Sequence, residues 1–244
     1  MAIMRGDEIG MTGGYADLLR GGGTVLRCFV LSALIALSGC AGGLPGFSED
    51  TGAAPPAKAN IADLRNAGPL GEKTMGKPDA PVTIVEYASL GCPICAVFHK
   101  QVFAQVKESY IDTGKVYFIY REFPIGPASA SAAQAARCVS DKTYFRTNDK
   151  FMASRGQWNG RAANPDALYK IVQETGLDRA TFDTCMANQK INEGIVSVKQ
   201  RGRELGVKGT PTFFVNGQQI RGGMSFEEMR SVIEQHLHGA AKPA

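Results

Sequence analysis

The apolar positions of this chain change their period several times. Residues 29–37 are an apolar run, with Ser32 its one polar residue, between Arg27 and Ser38-Gly39-Cys40. Residues 41–60 are rich in Ala, Gly and Pro and show no period. Order begins near Gly68-Pro69-Leu70. Val82 to Tyr87, β-branched and preceded by Pro81, predicts a buried strand. Val97, Phe98, Val102, Val106 and Tyr110 recur at helical spacing within 93–112, and Val116, Phe118 and Tyr120 alternate as a second strand. From about 128 to 206 the pattern is helical. Asn164-Pro165-Asp166 reads as an N-cap with Pro at the first helical position. Ile191, Ile195, Val198 and Leu205 mark an amphipathic helix ended by Gly206. Thr212–Val215 is a third strand, Asn216-Gly217 a two-residue hairpin turn, and Ser225 with Glu228 a capping box opening the last helix. Strand, helix, strand, helical block, hairpin and helix predict an α/β fold: a mixed sheet covered by helices, over about 68–240, with a helical subdomain inserted at about 128–206.

The run at 29–37 is too short to span a bilayer and has the length of a signal-peptide core. Residues 1–39 therefore read as a signal peptide, which removes Cys28. Leu37-Ser38-Gly39-Cys40 resembles a bacterial lipobox, in which Cys40 would be acylated; the alternative is a plain secretory signal cut nearby. Residues 40–67 then form a tether, whose Ala/Gly/Pro-rich part at 41–60 would by itself hold the domain on the order of 25 Å from a membrane anchor. Either reading takes the protein out of the cytoplasm, where disulfides persist.

Hydrophobic residues make up 44% and charged residues 20%, enough apolar side chains to build a core. The formal charge is only +4, and no basic stripe carries interleaved aromatics, so nucleic acid is not an expected partner. With Cys40 lipidated, Cys92, Cys95, Cys138 and Cys185 remain. Four cysteines allow three pairings, and sequence alone selects none. The gap of two makes Cys92 and Cys95 the obvious first pair.

Cys92-Pro93-Ile94-Cys95 falls where a buried strand ends and a helix begins. The free N–H groups of a first helical turn stabilise an anion, which lowers the pKa of Cys92, and Pro93 suits a position whose N–H has no partner. Cys95, inside the helix, is the more buried thiol. No second Cys-x-x-Cys or paired His completes a zinc site, and no metal or cofactor is expected. Glu86, six residues earlier in an apolar strand, is desolvated there and placed to exchange protons with Cys95; the alternative is a surface-facing strand residue. Thr210-Pro211 opens the third strand and is a candidate cis bond, with flanking backbone groups able to pair with an extended peptide. His99, one turn after Cys95, either tunes the thiols or packs a face.

Glu86, Cys92-Pro93-Ile94-Cys95 and Thr210-Pro211 stand in the order of a thioredoxin fold. With the helical insertion and the segment Gly76-Lys77-Pro78-Asp79-Ala80-Pro81-Val82, the chain resembles the DsbA-type thiol–disulfide oxidoreductases of bacteria from about 68 to 238. The resemblance implies that Cys92 is the exchanging sulfur, Cys95 resolves, and Thr210 and Pro211 bind substrate. It implies unfolded or reduced envelope proteins as substrates, a DsbB-type membrane protein as re-oxidant and a periplasmic location. It also implies a second, non-catalytic bridge between Cys138 and Cys185, whose loop of 47 residues would contribute roughly 3–4 kcal/mol. No dimerisation segment is visible, so a monomer is expected. The other readings are an isomerase or reductase of the same fold, and a non-enzymatic envelope lipoprotein on a thioredoxin scaffold.

One residue departs from the family. Many DsbA-type enzymes carry His before the second cysteine, where it stabilises the thiolate. Ile94 offers neither hydrogen bond nor charge. The helix N-terminus still acts, by about 1 kcal/mol, so Cys92 is expected to be less acidified, and the enzyme a milder oxidant, than relatives with His.

Overall fold

The most apolar stretches of the chain lie side by side in the middle of a sheet. Val82–Ala88 is buried at every position, and Val116–Glu122 at all but Tyr117. A strand with no solvated face must be covered on both sides. The computed structural model describes residues 59–66 and 68–240; the signal peptide, the lipobox with Cys40 and most of the tether lie outside the described residues. In chain order the strands are β1 (Lys73–Met75), β2 (Val82–Ala88), β3 (Val116–Glu122), β4 (Thr212–Val215) and β5 (Gln218–Arg221). They are arranged β1-β3-β2-β4-β5. β2 and β3 run parallel, with Glu86 opposite Tyr120; the other pairs are antiparallel.

The parallel pair needs a crossover, and the helix over 93–111 supplies it. The helices are α1 (Ile61–Leu64), α2 (93–111), α3 (Pro127–Arg137), α4 (Asp141–Ala153), α5 (Arg155–Trp158), α6 (Pro165–Val172), α7 (Arg179–Met186), α8 (Gln189–Glu204) and α9 (Phe226–Ala240). On one sheet face Ile84, Phe118, Phe213 and Val215 pack with Phe98 and Val106 of α2 and Met229 and Ile233 of α9. On the other, Val85, Tyr87, Ile119 and Phe214 pack with Leu64 of α1 and with Val207. Here α8 presses on the sheet: a Cβ built on Gly202 would lie 2.7 Å from the Tyr87 ring, a contact only glycine allows. The thioredoxin-like mixed sheet with an inserted helical block is the observed architecture, the insertion spanning α3 to α8.

Local signals behave as the sequence implies. Asn164 caps α6 through the N–H groups of Asp166 and Ala167, and Asn216 and Gly217 make the hairpin with φ of 45° and 89°. Ser225 and Glu228 exchange the hydrogen bonds of a capping box.

Two expectations are corrected, and one strand is added. The packed chain begins before residue 68: Asn60 caps α1, Leu64 is buried, and Ala59 N–H bonds Gly217 O at 2.9 Å. The short apolar signal of Ile61 and Leu64 is hidden in an Ala/Gly/Pro-rich context. Val97 is 51% exposed, because α2 buries the stripe through Cys95, Phe98 and Val102 and turns Val97 away. β1, three residues long, carries too short a pattern to be read.

A buried ion pair fastens the insertion to the sheet. Glu122 at the end of β3 binds Arg137 at the end of α3 through two hydrogen bonds, one of 2.8 Å, and accepts from Tyr144 Oη at 2.6 Å. Burial pushes the Glu122 carboxyl up, but the Arg137 guanidinium and the Tyr144 hydroxyl outweigh it and hold it below the usual range. Arg137→Met should lower unfolding free energy by about 3–5 kcal/mol in urea titration, since it strands a buried charge. Glu122 titrates lower when folded than unfolded, so its contribution is present above the unfolded carboxyl pKa and disappears as pH falls through the folded one. The gap between wild type and variant should therefore narrow in acid; a gap that widens would refute the assignment.

Candidate active site

β2 ends at Ala88, and a tight turn delivers the chain into α2, with Cys92 N–H on Ser89 O at 3.0 Å. Cys92 is the N-cap, with φ −80° and ψ 123°, and its sulfur accepts from Cys95 N–H at 3.4 Å. Pro93 takes the first helical position. Across the gap the start of β4 closes the site: the Thr210–Pro211 peptide is cis, and Thr210 O accepts from the Cys92 thiol at 3.3 Å. Both cysteines are buried thiols, Cys95 completely. The sequence reading of Cys95 as the deeper sulfur agrees with this placement.

The two sulfurs hold protons in opposite ways. Cys92 is lowered to about 5, chiefly because the Cys95 thiol donates to it; burial opposes this, and the Thr210 side chain and the Cys95 and Ile94 amides add to the lowering. Thr210 O serves only the protonated form, so ionisation exchanges that acceptor for donors. Cys95 is pushed far up by burial, by its bond to Cys92 and by the charge of Glu86. Acidification of Cys92 exceeds the small helix-terminus effect expected from sequence. The reason is that four donors converge on one sulfur; Ile94 takes part through its backbone, while its side chain is 51% exposed. His99 is not among them.

His99 instead serves the carboxylate below. Strand alternation points Glu86 to the α2 face, fully buried, and His99 Nε2 lies 3.0 Å from Glu86 Oε2. His99 begins a π-type segment of α2, His99–Phe103. Its Nδ1 is 3.3 Å from Oδ1 of Asp149, which reaches in from α4 and is half exposed. Burial pushes the imidazole down, but Glu86 and Asp149 prevail and raise it to about 9. Tyr120 packs edge-on against His99 at 6.1 Å. Asp149 is not singled out in the sequence, and Tyr120 reads there only as an alternating strand position; the packing of α4 and β3 around α2 brings both to the site.

The other two described cysteines are joined: Cys138 and Cys185 form a disulfide tying α3 to α7. Trp158 is a packing residue, buried on Phe151 with its indole N–H on Phe151 O at 2.9 Å. Among the described residues no helix is long and apolar enough to cross a membrane.

A thiol pair capping a helix, a carboxylate beneath it and a cis-proline beside it define a thioredoxin-fold dithiol site. A thioredoxin family model matches residues 70–235. The crystal structure of Wolbachia pipientis alpha-DsbA1 superposes with a TM-score of 0.68 at 30% identity, over 73% of this chain and 96% of that one. The Bacillus subtilis disulfide bond formation protein D is 27% identical over 69% of this chain and 78% of its own. A Rickettsia bellii protein named as a protein-disulfide oxidoreductase is 29% identical, over 68% of this chain but 64% of its own length, so the chain spans less than two thirds of that relative. The chain belongs to the thioredoxin family, among its DsbA-like members.

Alkylation should expose the asymmetry of the thiols. Iodoacetamide labelling of the reduced protein should follow a single midpoint near pH 5 and go to Cys92, with Cys95 unmodified at neutral pH. A midpoint near the ordinary thiol value of about 8.5, or labelling of Cys95 first, would contradict the geometry.

Proposed function

We propose that the protein oxidises thiols of exported polypeptides through the Cys92–Cys95 pair. The observation that carries this reading is the opposed proton affinity of two sulfurs in one helical turn. A substrate thiolate attacks Cys92 of the disulfide; Cys95 leaves as a thiolate and is protonated. A second substrate thiolate attacks the substrate sulfur of the mixed disulfide, and Cys92 leaves as a thiolate that stays ionised at neutral pH. Stabilising the thiolate stabilises the reduced protein and makes the disulfide the oxidant. Glu86 takes and returns the Cys95 proton. The backbone at Thr210 and Pro211, beside the Cys92 sulfur, holds the substrate strand.

Substrates are unfolded or reduced envelope proteins, and a DsbB-type membrane protein re-oxidises the pair. The protein works as a periplasmic monomer anchored through lipid on Cys40. The names of the relatives and the signal-like segment before Cys40 support this placement.

A Cys92 value of about 5 lies between those of DsbA and thioredoxin, about 3.5 and 7. Equilibration against glutathione should return a reduction potential of roughly −180 mV, between about −120 mV for DsbA and −270 mV for thioredoxin. Ile94→His should raise it by about 30 mV for each pKa unit lost at Cys92. A potential below about −250 mV would make the protein a reductase, and a Cys92→Ser variant with full function in the cell would make it a binding module.

Cys40→Ala should release the mature protein from membranes or stall its processing. Unchanged mature mass and membrane partition would show that Cys40 carries no lipid.

A further inference from the structure

Cys95 must lose a proton each time the pair is re-oxidised and regain one each time a substrate is oxidised. Its sulfur is completely buried. During both steps the mixed disulfide covers Cys92 and the Thr210–Pro211 segment, the side from which the pair is reached. A proton route that stays open must run elsewhere. Glu86 is equally buried, and its Oε1 has no hydrogen-bond partner. Beyond it stand His99, whose side chain is 3% exposed, and Asp149, whose side chain is 53% exposed.

We propose that His99 and Asp149 connect Glu86 to solvent and exchange the Cys95 proton there, behind the substrate-covered face. The inference rests on the thiol-exchange reading above. The direction of the route is set by α2. Ile94 leans toward Gly223, and the adjacent Gly222 donates to Pro211 O at 2.9 Å, so that side of α2 faces the cis-proline. Pro93, Ala96, Val97 and Lys100 stand on another side. With Met152 and Asp149 they line an open cavity of about 560 Å³ that has His99 in its wall. A second cavity, of about 470 Å³, meets His99 and Asp149 from the side of Phe103 and Phe145. Asp149 is thus wetted from both sides while His99 stays enclosed.

The chemistry balances without building charge in the core. In re-oxidation Cys95 gives its proton to Glu86 and keeps the electron pair. That pair attacks the Cys92 sulfur, and the partner sulfur departs as a thiolate. Glu86 becomes neutral, so the imidazolium of His99 loses its buried counter-charge and releases its Nδ1 proton to Asp149 and solvent. One proton enters the pair and one leaves it; the pair is net neutral before and after. Substrate oxidation runs the same exchange backwards, which resets it. Nδ1 and Asp149 stand at 3.3 Å without an aligned hydrogen bond, so a small rotation of the exposed carboxylate makes or breaks the connection.

The groups that face His99 define its titration. Glu86 comes from β2, Asp149 from α4, Tyr120 from β3 and Cys95 from α2 itself. Lys100 and Arg155 edge the first cavity. Asp141, Lys107, Lys142 and Arg146 edge the second. The cations lie on the cavity rims, and the two carboxylates in contact with the ring are the buried Glu86 and the half-exposed Asp149.

The test follows one intramolecular step. Glutathione is placed on Cys92 of the protein, and closure of the Cys92–Cys95 bond is timed by acid quench and mass measurement from pH 5 to 9. Asp149→Asn, a surface change that leaves the core intact, should slow closure at neutral pH by roughly tenfold or more. Small diffusible imidazole in the buffer should restore part of that rate, which a structural role would not produce. His99→Gln should slow closure similarly and flatten the pH profile above neutrality. An Asp149→Asn variant with wild-type rate and profile, or a slow one deaf to imidazole, would overturn the route. If Glu86→Gln alone slows closure, Glu86 remains the proton acceptor and the route falls. If the wild type never forms or closes the mixed disulfide, the thiol-exchange reading falls with it.

Discussion

Because β2 is covered on both sides, its alternation allots Ile84, Glu86 and Ala88 to the face of α2, and Val85 and Tyr87 to the face of α1 and α8. A carboxylate on that strand has no edge by which to reach water. It must find its partner inside, and α2, which follows directly, supplies one. The same crossover begins at Cys92, so the strand that buries Glu86 also fixes where the helix starts. Slipping β2 by one residue would exchange Glu86 for Tyr87 or Val85 beneath the thiols and dissolve the site.

The site works by separating two identical side chains through their surroundings. Cys92 stands at a helix start among donors, and Cys95 sits one turn inside with a carboxylate nearby. Burial alone would raise both. What divides them first is the bond between them, in which the Cys95 thiol donates to the Cys92 sulfur; the free amides of the first turn add to it, and Cys92 is placed to use them. Ile94 shows the limit of reasoning from side chains: its apolar group adds nothing to the thiolate, yet its backbone belongs to the cradle.

Much of this was legible in advance. Strongly periodic segments named β2, β3, α2 and the hairpin, and Cys-x-x-Cys, Glu86 and Thr210-Pro211 marked the chemistry because each has a meaning within a few residues. What stayed hidden is long-range. Asp149 meets His99 only after α4 packs on α2. The Glu122–Arg137–Tyr144 cluster joins a strand end to two helices. α1 is held by its single buried leucine and by backbone contact with the hairpin. The choice among three cysteine pairings likewise depended on α3 and α7 lying together. Local pattern carries the elements, and side chains that meet across elements leave no trace in it.

Thr210 lies 118 positions beyond Cys92, yet its carbonyl completes the sulfur's surroundings. A polypeptide emerging N-terminus first therefore presents all four of the described cysteines before the segment that finishes the site exists. Without that segment beside β2, the Cys92 thiol lacks its acceptor on Thr210 O. The setting of the Cys92 sulfur thus depends on a segment that the chain reaches only after all four of the described cysteines.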